Sequence, residues 1–237
     1  MRPETGKTAS PFSPPLPGKG GERLQWGRCQ GALPGLAIAS AAREWPELVV
    51  AVTRDLRQAR QLEQELSLFL EGTGLPILHF PDWETLPYDV FSPLPELVSE
   101  RLLTLHQLQT TRRGVLIVPV ATLQQRILPP EYLDTHALIL ELGQQLEIGA
   151  FREQLDRSGY QRVSQVMAHG EFAVRGSLLD LFPMGSEQPY RIDLFDDEID
   201  SIRIFDPETQ RTTEKVEAVR LLPAREFPID RTAITRF

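Results

Sequence analysis

The rhythm of apolar and polar residues along this chain changes once, near Pro129-Pro130. Before that break, short apolar runs alternate with helical periodicity. Leu48-Val-Val-Ala-Val-Thr53 is a nearly continuous apolar run, the pattern of a strand covered on both faces. Residues 55–70 follow, with Leu56, Ala59, Leu62, Leu66 and Phe69 at steps of three or four, which lines one face of a helix. Residues 77–80 predict a second strand. Ser92 is expected to N-cap a helix started by Pro93, with Pro95 in its first turn, running to about Leu108. Residues 115–120 predict a third buried strand and residues 121–126 a short helix. Such alternation implies a parallel sheet joined by right-handed crossovers.

Beyond the break the pattern becomes strand-rich. Residues 138–142 predict a strand, and residues 148–158 a helix stopped by Gly159. Segments 171–182, 190–195, 199–205 and 216–222 all predict strands, joined by turns rich in Gly, Pro and Asp. This is the pattern of a smaller α+β unit built on an antiparallel sheet. A third piece starts after Pro223, and no helix stop precedes Phe237, so a larger parent protein is expected. Residues 1–21 hold five prolines and four glycines with almost no large apolar side chains. They are expected to form a disordered tail.

Composition narrows the possible chemistry. The 237 residues suffice for one large or two modest domains. With 25 Lys and Arg against 33 Asp and Glu, the net charge is −8, which argues against a chain whose main task is gripping nucleic-acid phosphates. No apolar run reaches the roughly 18 residues of a membrane span, and the N-terminus does not read as a secretory signal. One cysteine, Cys29, allows no internal disulfide and suits a reducing cytoplasm. The four scattered histidines have no metal-ligand spacing, so no metal is expected.

Most short motifs reduce to structure. Gly6-Lys7-Thr8 resembles the end of a phosphate loop, but no strand precedes it and prolines follow. The stretch from Gly27 to Ala39, containing Gly31, Pro34 and Gly35, stands where a phosphate loop would precede the first helix. It has neither the Lys that would meet the β/γ phosphates nor the Ser or Thr that would ligate Mg²⁺. Pro34 also removes a backbone donor. A plain turn, with no ATP or Mg²⁺ cofactor, is the expectation. Asp82-Trp-Glu-Thr-Leu-Pro-Tyr-Asp89 reads as a polar loop at a sheet edge, and His169 as a satisfied loop histidine.

One stretch stands out. Tyr190, Ile192 and Leu194 alternate toward one face of a strand, and Arg191, Asp193 and Phe195 toward the other. Arg175 lies opposite Phe172 and Val174. If these strands pair, Arg175, Arg191 and Phe195 share one surface. Arginine beside an exposed aromatic is the composition of a protein-interface hot spot. The other reading puts Phe195 under a neighbouring loop and pairs the arginines with Asp193 and Asp196.

Several of these stretches are similar to a known family. Asp82-Trp-Glu-Thr-Leu-Pro-Tyr-Asp89 with Ser92-Pro93, Gly114-Val-Leu-Ile-Val-Pro-Val120, Gly170-Glu-Phe-Ala-Val-Arg-Gly176, Asp180-Leu-Phe-Pro-Met-Gly-Ser186, Phe195-Asp-Asp-Glu-Ile-Asp200 and Leu222-Pro-Ala-Arg-Glu-Phe227 resemble the amino-terminal part of the bacterial transcription-repair coupling factor (Mfd) family. The resemblance runs from about Leu24 to Phe237 and omits the proline-rich tail. It implies a module similar to the excision-repair protein UvrB. A degenerate helicase-like (P-loop-type) parallel-sheet domain would cover 22–131 and an inserted α+β domain that binds UvrA would cover 132–222. Residues 223–237 would begin the return to the first domain.

The resemblance further implies that this module has no ATPase of its own. Contacts with RNA polymerase and DNA belong to parts of the family not present here. By motif, the family's UvrA-binding residues fall on Arg175, Arg191 and Phe195, the three the face pattern had singled out. The implied function is non-catalytic recruitment of UvrA in transcription-coupled nucleotide excision repair. The competing class is an active nucleotide-hydrolysing helicase with UvrB-type DNA handling. It would need a strand-gripping aromatic hairpin after Asp89, where the chain instead runs through Val90-Phe91-Ser92-Pro93.

Overall fold

The structure is a computed structural model that describes residues 10–27, 29–85 and 90–227. In chain order its elements are α1 (Leu33–Glu44), β1 (Leu48–Thr53), α2 (Leu56–Phe69), β2 (Ile77–His79), α3 (Pro95–Leu108), β3 (Gly114–Pro119), α4 (Val120–Leu123), α5 (Pro130–His136), β4 (Leu138–Glu141), α6 (Ile148–Arg157), β5 (Gln161–Arg162), β6 (Glu171–Arg175), β7 (Leu178–Leu181), β8 (Tyr190–Phe195), β9 (Glu198–Phe205), β10 (Thr212–Val216) and β11 (Ala218–Leu221). The chain is mixed α/β, with one parallel and two antiparallel-rich sheets. Two compact units divide it: residues 1–82 with 110–125, and residues 83–109 with 126–237. They depart from the expected segments 22–131 and 132–222, because residues 83–109 group with the second unit. Gly6-Lys7-Thr8, residues 86–89 of the acidic loop and most of the expected return segment lie outside the described residues.

In the first unit β1, β3 and β2 form a parallel sheet in the order β1-β3-β2, with Val49 opposite Val115 and Ile77 opposite the same residue. The periodic face of α2 is buried as predicted, at Ala59, Leu62 and Leu66, together with Ala39 and Ala42 of α1 and Val115 and Ile117 of β3. Asp55 caps α2 by accepting from the Gln58 amide at 2.8 Å, which holds its carboxyl below the usual range. One expectation fails. Leu48–Thr53 is not covered on both faces: Val50 and Val52 are half exposed. β1 is an edge strand, and the apolar cluster buries only one of its faces.

Asp82 ties the ends of this sheet together. Its Oδ2 accepts from Thr122 Oγ1 at 3.1 Å and Gln125 Nε2 at 3.0 Å, so this carboxylate is structural. Residues 10–27 carry no helix or strand; they hold a Ser10–Ser13 bridge, a hydrogen bond from the Gly18 amide to the Glu22 carboxylate and one from the Trp26 indole to the Pro15 carbonyl.

The second unit is built on a six-stranded sheet, β10-β9-β8-β7-β6-β5. All its pairs are antiparallel except β5 with β6, which is parallel. The predicted strand over 171–182 is a hairpin. Gly176 takes the positive φ (+63°) that a tight two-residue primed turn needs at its first central position, and Arg175 then faces Leu178. One face of the sheet carries Phe172, Leu179, Leu181, Ile192, Leu194 and Ile202, which pack with Phe151 and Leu155 of α6 and with β4 and β11. α6 begins at Glu147, whose carboxylate accepts from the Gly149 and Ala150 amides. The opposite face has a smaller apolar cluster of Val166, Ala173, Phe182 and Phe205.

Ser92 does not cap α3. The helix starts at Pro95, with Leu94 extended before it and no side-chain cap. A residue preceding proline is pushed out of the helical region, so Pro95 itself sets the start.

Two buried polar links join distant segments of this unit. Arg101, fully buried on α3, donates from Nε to Glu226 Oε1 at 2.6 Å, beneath the Trp83 ring 4.5 Å away. Tyr160 donates to the Leu222 carbonyl at 2.6 Å and accepts from the Met184 amide at 3.2 Å. Complete burial pushes its phenol well above the usual tyrosine range, so it stays a neutral donor. Tyr160→Phe is expected to lower stability by about 1–3 kcal/mol, because both backbone partners lose their hydrogen bond out of reach of water. Urea denaturation checks this; an unchanged midpoint would show the link to be dispensable.

Candidate functional site

Cross-strand register builds the site. On one face of the six-stranded sheet Ala173, Asp180, Arg191 and Arg203 stand opposite one another on β6, β7, β8 and β9. Asp180 is 1% exposed. A carboxylate this deep must be paired to stay charged. Its Oδ1 accepts from Arg191 Nε at 2.6 Å, and its Oδ2 from Arg191 Nη2 at 2.9 Å. The same Oδ2 also accepts from Arg175 Nη2. One buried carboxylate therefore joins both arginines that the sequence had singled out.

Arg191 is held on every side. Its Nη1 donates to the Gln210 carbonyl at 3.1 Å, and its guanidinium lies 5.0 Å from the ring centre of Phe205. The hydrogen bonds to Asp180 raise its pKa further, so it is always charged. Gln210 is fixed in turn: it takes φ +59° and its amide donates to the Val166 and Pro207 carbonyls. Asp206 closes the same loop by accepting from the Thr209 amide and hydroxyl, which lowers its own pKa.

The three predicted residues are thus not alike. Arg191 is only 19% exposed at its side chain, against 51% for Arg175. Phe195 is 74% exposed, at the end of β8 before the Asp196-Asp197 turn. It does not pack under a loop. The arginines pair with Asp180 and not with Asp193 or Asp196. Nor do Arg175 and Arg191 sit on adjacent strands, because β7 runs between them and carries their common partner. Asp180 was missed as a site residue. Its signal was a single carboxylate inside the apolar run Leu178-Leu-Asp-Leu181.

The residues expected to stand in place of a phosphate loop are also located. Gly31 alone occupies a turn, with φ +58°. Pro34 and Gly35 are already in the first turn of α1, which corrects the expected plain turn; proline at a helix start is pre-set for helical φ. Gly35 serves packing, since a Cβ there would lie 2.8 Å from Glu65 Cβ. The adjoining cavity of about 380 Å³ is lined by Gly31, Pro34, Thr53, Gln61 and Glu65, and no Lys or Arg lines it among the described residues. His169 holds the Ser186 carbonyl at 2.8 Å and stacks on Phe182, a structural role. Among the described residues no group of His, Cys, Asp or Glu is gathered to hold a metal, and no helix is long and apolar enough to cross a membrane.

The ion-pair geometry changes what an arginine substitution does. An outer-face position by itself predicts that alanine leaves folding intact. Arg191→Ala instead removes both forks from a buried carboxylate and leaves it only Arg175. It is expected to cost about 2–3 kcal/mol of stability, whereas Phe195→Ala should stay within about 0.5 kcal/mol. Thermal midpoints of the two variants test this, and equal midpoints would mean that Asp180 does not depend on Arg191.

The UvrB interaction domain family matches residues 138–227, which contain Arg175, Asp180, Arg191 and Phe195. The transcription-repair-coupling factor of Escherichia coli (strain K12) is 53% identical over 222 residues, 94% of this chain and 19% of that protein. That of Haemophilus influenzae is 46% identical over 226 residues, 95% of this chain and 20% of the relative. That of Staphylococcus aureus (strain USA300) is 35% identical over 198 residues, 84% and 17% respectively. The chain spans about a fifth of the length of these curated relatives. Over this region the chain belongs to the family of the transcription-repair-coupling factors, and residues 138–227 are its UvrB interaction domain.

Proposed function

We propose that this chain is a non-catalytic, UvrB-like module that recruits UvrA, linking the clearing of stalled RNA polymerase to nucleotide excision repair in the cytoplasm. UvrA docks on the second unit, at Arg175 and Phe195, with Arg191 behind them. RNA polymerase and DNA are engaged by other parts of the longer protein. The observation that carries the reading is a half-exposed arginine and an exposed phenylalanine on a rigid sheet, inside the segment matched as a UvrB interaction domain. Such a pair has the make-up of a hot spot, a cation for a partner carboxylate and an apolar side chain to exclude water around it.

In this reading the first unit is a helicase-like domain without its phosphate chemistry. Where a nucleotide would place its phosphates, the Glu65 side chain lies against the first turn of α1. A second anion there would be repelled. This supports a degenerate, inactive nucleotide site over an active helicase.

Two measurements test the reading. Arg175→Ala and Phe195→Ala should each weaken UvrA binding by about 2 kcal/mol, roughly thirtyfold, with thermal midpoints near that of the unaltered chain. Wild-type affinity in both variants would sink the proposal. Calorimetry with Mg-ATP should detect no site tighter than millimolar, and a micromolar dissociation constant would restore the enzymatic alternative.

A further inference from the structure

We propose that Asp180 is the positioning residue of this docking surface: it never meets the partner, but it fixes Arg191 as an anchor and leaves Arg175 as the arginine that takes a partner carboxylate. The inference rests on the UvrA reading above.

A guanidinium has five N–H donors. Arg191 spends its Nε and one Nη2 hydrogen on Asp180 and an Nη1 hydrogen on the Gln210 carbonyl, with Phe205 against the group. Little of it remains for a partner. Arg175 gives a single Nη2 bond to Asp180, and makes no other hydrogen bond or ion pair among the described residues. Its Nε and Nη1 donors are uncommitted, and half of its side chain meets solvent. The planar fork is thus held at one corner and open along its other edge, which suits bidentate capture of a carboxylate.

Charge points the same way. Two guanidiniums share one carboxylate, and Arg203 on β9 stands opposite Arg191 on the same face, so the cluster keeps positive charge in excess. Asp193 lies on the same cross-strand row as Arg175, but with Leu178 between them. Two strand spacings, about 10 Å, separate that pair, too far for an ion pair. Without Asp180 the two like charges would repel, and the Arg175 side chain would lose its fixed corner. Pre-organisation of this kind strengthens binding by removing the ordering entropy of a long side chain.

The experiment is a double-mutant cycle on the 237-residue chain, with purified UvrA as the probe. Asp180→Asn, Arg175→Ala and the double variant are compared below the lowest thermal midpoint. If Asp180 acts through Arg175, Asp180→Asn weakens UvrA binding about tenfold, and the double variant binds no more than about twofold worse than Arg175→Ala alone. Losses that multiply, or wild-type binding by Asp180→Asn, would overturn the proposal. Wild-type binding by both Arg175→Ala and Phe195→Ala would instead show that the docking surface itself is wrong, and this proposal with it. A second measurement needs no variant. In nitrogen-15 spectra of the unaltered chain, the Arg175 guanidinium should show hindered rotation, with separate Nη signals. A freely averaging Arg175 would overturn the assignment even if Asp180→Asn does not fold.

Discussion

A carboxylate buried in the middle of a β-sheet has to be answered by cations, and this requirement organises the functional face of the second unit. Asp180 lies in the apolar strand β7, where an unpaired charge would be very costly. Its partners must come from the flanking strands, and they do: Arg175 from β6 and Arg191 from β8. The pairing then constrains everything around it. Gly176 makes the tight turn that brings β6 back beside β7. The Asp206 loop places the Gln210 carbonyl over Arg191, and Phe205 supplies the ring beneath it. A surface assembled in this way is stiff at Arg191, which cannot move without taking both of its hydrogen bonds from the buried carboxylate.

The same logic appears elsewhere in this unit. Arg101 and Glu226 are 125 positions apart, and both are almost wholly removed from solvent. Tyr160 bridges the backbone of Met184 and Leu222. These links bind α3 and the segment after β11 to the sheet by groups that tolerate no substitute of different polarity. They also explain why residues 83–109 cluster with the second unit. The hydrophobic pattern of α3 says that it is a helix, and its buried Arg101 and the Ser99 hydroxyl bond to segments of the second unit.

Legibility in the sequence followed the range of the interaction. Local patterns were readable: the 3.6-residue spacing in α2, the apolar runs of β1 and β3, and the alternation in β8 all correspond to elements. Capping was misread where two prolines competed, since the steric effect of Pro95 on Leu94 outweighs the hydrogen bond Ser92 could offer. Coverage of β1 was misread because an apolar run does not reveal whether other elements pack on both of its faces. In the site, the shared face of Arg191 and Phe195 was legible from period two, and the exposure of Phe195 agrees with it. The role of Asp180 was not, because it depends on register between three strands, and strand register is set by turns and bulges. The shift between Asp193 and Leu194 is one such feature that no residue pattern announces.

The two units dispose of negative charge in opposite ways, and this contrast gives the functional reading its physical basis. In the first, the Glu65 side chain lies against the opening turn of α1, and the cavity beside it has no cation among the described residues. The helix N-terminus that could have drawn a phosphate is already matched by an internal carboxylate. In the second, one internal carboxylate is set against two arginines, and the count falls one short. The surplus positive charge emerges at Arg175, on the side of the sheet toward which Phe195 also points. A net charge of −8 over the whole chain repels anionic polymers at long range, while the local surplus attracts a carboxylate at short range. Arg203 and Lys215 continue the cross-strand row beyond Arg191, so an acidic surface on a folded partner meets further cations around the rigid Arg175 fork and its apolar neighbour.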